Sequence, residues 1–154
     1  MTPTIFISST YEDMIPHRQN IWESLSGLNL RIKGMEKFGA RKTCPLDTCI
    51  EEVGKSDVYI GIIAYRFGSI EPITGKSYTQ LEYEKALSLN RNILIYLMAD
   101  DGLIQPRFVD FGIKADKLAN FKKTLKTNHN VDFFRDPNDL RIKIYEKLIE
   151  IYPS

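Results

Sequence analysis

The chain has 154 residues, 43% of them hydrophobic and 27% charged, with 21 Lys and Arg against 20 Asp and Glu. That length suits one domain over residues 1–154, and a formal charge of +1 removes the bulk electrostatic footprint expected of a nucleic-acid binder. No run of about 18 consecutive apolar residues is present to span a bilayer, and the first residues lack the basic and apolar regions of a secretory signal, so a soluble cytoplasmic protein with no nucleic acid and no membrane partner is expected.

Strands and helices alternate from the start, the pattern of βαβ units around a parallel sheet. Residues 4–8 read as a strand, and residues 11–25 as a helix whose stripe Ile15, Arg18, Trp22 and Leu25 would lay Trp22 against the sheet. A second strand over 30–35 precedes a helix over 46–55. The apolar runs 58–64 and 92–98 read as central, fully buried strands, with a helix over 78–89 between them. Residues 99–114 form the longest irregular segment, followed by a helix over 115–126 and a short edge strand over 130–134. The last helix, 137–152, starts after Asp136-Pro137 and carries the apolar face Leu140, Ile144, Leu148 and Ile151. Right-handed crossovers then favour a five-stranded parallel sheet of order 2-1-3-4-5, an α/β three-layer sandwich of the flavodoxin kind.

Two residue sets stay silent on chemistry. Cys44 and Cys49 form no CxxC and have no histidine beside them, so reduced thiols are expected, and neither His17 nor His129 gathers ligands for a metal. Lys114, Lys117, Lys122, Lys123 and Lys126 read as the solvated face of a helix.

In a doubly wound sheet of this order, ligands bind at the switch point between strands one and three, beside the C-terminal strand ends. The first loop, Ser8-Ser9-Thr10-Tyr11-Glu12-Asp13, offers hydroxyls and backbone N–H groups to a phosphate, although Ser9 with Glu12 also fits a helix-capping box. In the second, Glu36 stands at the strand end and Phe38 could stack on a base or simply pack the loop. In the third, Tyr65 could stack on a base, while Arg66 could hold a phosphate bidentately or pair with Glu36, Glu12 or Asp13. Residues 77–86 open the third helix with Ser77 and Thr79, and helical spacing puts Thr79, Glu82, Ala86 and Leu89 on one stripe with Glu84 pointing away. Glu82 is thus either a carboxylate aimed at the crevice or the capping partner of Thr79.

The segments Ile5-Phe6-Ile7-Ser8-Ser9-Thr10-Tyr11-Glu12-Asp13-Met14 with Arg18, Met35-Glu36-Lys37-Phe38-Gly39-Ala40, Tyr65-Arg66-Phe67-Gly68-Ser69-Ile70 and Ser77-Tyr78-Thr79-Gln80-Leu81-Glu82-Tyr83 together resemble a TIR-like domain of unknown function, DUF4062. The resemblance implies an N-terminal effector module of signalling or antiphage defence proteins, partnered by itself or by a C-terminal ATPase or repeat sensor module. The wider TIR and nucleoside deoxyribosyltransferase group is similar in fold and uses a helix glutamate to break an N-glycosidic bond, which implies a catalytic Glu82. Ser8, Ser9, Glu36, Phe38, Tyr65, Arg66, Ser77 and Thr79 would then bind a nucleotide such as NAD as substrate, with no cofactor and no metal. The Trp-Cys pair of TIR enzymes is absent and Ser77 is shifted by one position. A non-catalytic module that senses a nucleotide or self-associates is the alternative.

Overall fold

The computed structural model describes residues 2–34 and 45–153. Among these, β1 (Thr4–Ser8), α1 (Ile15–Leu25), β2 (Arg31–Lys33), α2 (Leu46–Gly54), β3 (Val58–Ile63), α3 (Tyr78–Ser88), β4 (Asn92–Met98), α4 (Ile113–Asn128), β5 (Asp132–Phe134) and α5 (Pro137–Ile151) follow one another along the chain. Every strand pair is parallel and the order is β2-β1-β3-β4-β5, the flavodoxin-like arrangement the alternation predicts. The chain reverses its direction of travel across the sheet between β1 and β3, which opens a crevice at their C-terminal ends.

Side chains of a strand alternate between faces, and the two cores follow that period. Ile5 and Ile7 of β1, with Val58, Ile60 and Ile62 of β3, pack under α1 and α5 against Ile21, Leu25, Leu140, Ile144 and Leu148. Phe6, Tyr59, Ile63, Ile95 and Leu97 face the opposite side and meet Val53 of α2, Tyr83 and Ala86 of α3, and Leu118, Phe121 and Leu125 of α4. Ser8 stands two residues on from Phe6, so the last side chain of β1 points toward the α3 side. β3 is buried over all six residues, as a central strand covered on both faces must be.

Several expectations are corrected. Trp22 is 41% exposed, while Met14, His17, Arg18, Ile21 and Leu25 are buried. All of these but Met14 lie within α1, where Arg18, Ile21 and Leu25 at i, i+3 and i+7 satisfy helical spacing as well as Arg18, Trp22 and Leu25 at i, i+4 and i+7; packing against the sheet takes the Ile21 side. β4 is buried only in its second half, since Asn92 is exposed and Ile93 and Leu94 are half-buried. β2 and β5 are three residues each, shorter than the runs expected. Cys49 is buried in the second core and disulfide-bonded rather than a reduced thiol; Cys44 lies outside the described residues.

Candidate functional site

A cleft of about 270 Å³ opens at the C-terminal ends of β1 and β3. Ser9, Thr10, Tyr11 and Glu12 line it from the loop after β1, Arg66, Gly68 and Ser69 from the loop after β3, and Tyr78 and Thr79 from the first turn of α3. Gly68 has φ +87°, and a Cβ there would stand 2.8 Å from Thr10 Cγ2, so glycine lets the two loops close on each other at this wall.

The start of α3 is organised by Ser77, the residue before the helix. Its hydroxyl accepts the Gln80 N–H at 3.0 Å and its side chain is buried. The helix end is therefore capped by Ser77, and Glu82 is not folded back onto it. One turn beyond Thr79, the Glu82 carboxyl reaches across to β1, where Ser8 Oγ donates to Oε1 at 2.7 Å. Glu82 is 8% exposed, and burial pushes its carboxyl up to about 7 against the opposing pull of the Ser8 hydrogen bond and the Arg18 guanidinium; the Glu52 charge adds to the rise. Thr79 forms part of the cleft wall and Glu82 does not.

Tyr59 backs this carboxyl. Its ring lies across Gly61, where a Cβ would come within 3.1 Å of Tyr59 Cε1. The hydroxyl donates to the Thr79 carbonyl at 3.4 Å, and burial together with the Glu82 charge holds it well above the usual tyrosine range. A glycine in the middle of a buried strand thus makes room for the one polar side chain in that strand.

On the other wall, Arg66 Nη1 lies 3.4 Å from Asp13 Oδ1, whose carboxyl is wholly buried while the Arg66 side chain is 27% exposed. Burial raises the Asp13 carboxyl, and a hydrogen bond from Thr10 and the Arg66 charge act against that rise. Behind the first loop, Arg18 is buried and donates to Ser9 Oγ at 3.0 Å and to the Gly34 carbonyl. Ser9 in turn donates to the Thr10 carbonyl, and among the described residues the 3-10 turn at Glu12–Met14 starts at Tyr11 with no side-chain cap.

A family model for the Domain of unknown function (DUF4062) matches residues 4–149. The chain belongs to this family. No curated protein matches it. Among solved structures, the CMP N-glycosidase BcmB of Clostridium botulinum is similar over 94% of this chain and 98% of its own, with a TM-score of 0.52 and 10% identity. A short-chain flavodoxin associated with a non-canonical PDU bacterial microcompartment covers 98% of both chains at a TM-score of 0.42 and 12% identity. The glycosidase likeness concerns the fold.

Of the residues that the sequence nominates, this DUF4062 domain brings Ser9, Arg66 and Thr79 to the cleft wall. Ser8 and Glu82 are bonded to each other beside it. Ser77 caps α3. Tyr65 turns elsewhere: its hydroxyl donates to the Ala99 carbonyl at 2.9 Å and the Lys122 amine sits 4.4 Å over its ring. Glu36 and Phe38 lie outside the described residues. Sequence reasoning overlooked Tyr59, for which a tyrosine beside a glycine in an otherwise aliphatic strand is the available signal, and the Ser77-x-x-Gln80 spacing that competes with Thr79-x-x-Glu82 as a capping box. Among the described residues no group of three His, Cys, Asp or Glu side chains could hold a metal ion, and no helix is long and apolar enough to cross a membrane.

Proposed function

We propose that the cleft binds a nucleotide and that Glu82 takes part in cleaving its N-glycosidic bond. The observation that carries this reading is the placement of Glu82: a carboxyl at the C-terminal rim of the sheet, bonded to Ser8, one helical turn from the cleft wall and raised to about 7. A carboxyl with that midpoint is available in both forms near neutral pH. Ionised, it stabilises or attacks an oxocarbenium-like sugar carbon; neutral, it protonates the departing base. Arg66 and the hydroxyls of Ser9 and Thr79 supply the cation and donors that a phosphate and ribose need, and the N-terminus of α3 faces the same cleft. The same type of bond is named for the Clostridium botulinum neighbour.

Incubation with NAD and, separately, with CMP tests the reading by following free nicotinamide or cytosine. The wild type releases base, and Glu82→Gln, which preserves shape and removes the acid, slows release by about a hundredfold or more. Equal rates from the two proteins would remove Glu82 from the mechanism.

A second reading, a non-catalytic module that senses a nucleotide or self-associates, is favoured by two observations. Glu82 is outside the cleft wall in this structure, and Ile73, Phe111, Ile113 and Leu103 are 94%, 82%, 75% and 69% exposed. It predicts nucleotide binding or concentration-dependent association with no base released.

A further inference from the structure

The loop after β4 grips the loop after β3 at the two residues that flank Arg66. The Asp110 N–H donates to the Tyr65 carbonyl at 2.9 Å, and Asp110 Oδ2 accepts the Phe67 N–H at 2.6 Å. Phe67 is itself buried, so the grip closes onto the core. The start of α4 continues it: Lys114 Nζ donates to the Gly68 carbonyl at 3.4 Å and Lys117 Nζ to the Gly75 carbonyl at 2.8 Å. By contrast, the only ion pair of the Arg66 side chain among the described residues, to Asp13, spans 3.4 Å, longer than the roughly 2.7–2.9 Å of a strong charged hydrogen bond. A guanidinium so loosely paired owes its place to the backbone that carries it.

We propose that Asp110 is a positioning residue for Arg66, and that through this two-point bracket the loop after β4 sets how tightly the cleft holds a phosphate group. The inference deepens the nucleotide reading and rests on it for the ligand. Asp110 does not line the cleft, so its influence on a ligand passes through Arg66. Its carboxylate contributes to the negative potential at the buried Asp13, the acid that Arg66 pairs with. Removing the Asp110 carboxylate opens the Phe67 point of the bracket and leaves the Tyr65 point, so the backbone can pivot at Phe67 and carry the guanidinium off the wall.

The test compares wild type, Asp110→Ala and Asp110→Asn; both variants keep the backbone N–H bond to Tyr65, and only Asp110→Asn also keeps a side-chain acceptor for the Phe67 N–H. Calorimetric titration with CMP and with cytidine separates the phosphate from the rest of the ligand. CMP affinity falls about tenfold in Asp110→Ala and is largely restored in Asp110→Asn, while cytidine affinity stays within about twofold. A merely structural residue would lower both ligands alike, and that result overturns the proposal. A second readout needs no nucleotide: phenylglyoxal labelling of Arg66, followed by mass spectrometry, runs several-fold faster in Asp110→Ala. An unchanged labelling rate overturns the bracket whatever the titrations show. If the wild type binds neither CMP nor cytidine, the nucleotide reading fails on its own and the labelling rate still decides the positioning role.

Discussion

His17 and Glu82 are buried to a similar degree, 3% and 8% exposed, near the starts of helices that follow β1 and β3, but on opposite faces of one sheet. Among the described residues neither His17 ring nitrogen finds a hydrogen-bond partner, and the ring meets Phe134 edge-on at 5.5 Å. Burial lowers its midpoint to about 4, with only the Asp136 charge opposing. Around Glu82 burial shifts the carboxyl just as far, yet Ser8 bonds it, Arg18 counters the shift, and Thr79 links the same helix face to the cleft. A displaced midpoint therefore does not mark a site by itself. Polar partners leading to open space are what distinguish the two.

The two groups predict opposite limbs of one stability curve. Glu82 has a folded midpoint near 7 against 4.5 unfolded, so folding favours its neutral form: its contribution is complete below pH 4.5 and is lost as pH rises toward 7. Glu82→Gln removes that loss and stabilises the protein at pH 8 by about 3 kcal/mol, with no gain at pH 4, measured by urea unfolding. A gain that does not vary with pH would mean that the carboxyl is not held neutral. His17 has a folded midpoint near 4 against 6.5 unfolded, so its contribution is complete above 6.5 and drains as pH falls toward 4. His17→Leu abolishes an acid-side loss of roughly 3 kcal/mol and leaves base release unchanged; a change in base release would bring His17 into the site after all. The smallest effect belongs to Ser8→Ala. It costs about 1 kcal/mol at pH 8, less at pH 5, and moves the Glu82 midpoint further up, because the lost hydrogen bond favours the ionised form. A downward move would contradict the bond's direction.

The fold was legible because it rests on local periodicity: the aliphatic runs of β1, β3 and β4, and the face of Leu140, Ile144 and Leu148, need no tertiary knowledge. Counting failed where two neighbouring residues both fit the helical period, as with Ile21, which packs inside, and Trp22, which stays outside. The geometry of the candidate site was half legible. The switch-point rule located the cleft, and helical spacing placed Thr79 and Glu82 on the buried face. The Ser8–Glu82 bond joins residues 74 apart in sequence, and the Asp110 carboxylate meets the Phe67 N–H 43 residues away. Such pairings depend on how loops meet across the sheet, which no periodicity encodes.

Everything proposed for the cleft depends on Glu82 being a buried acid poised near neutrality. Carbon-13 labelling of the glutamate carboxyls, with Glu82→Gln to assign the resonance, reads its titration directly. A midpoint near 7 is expected, and one near the ordinary 4.5 would overturn the assignment.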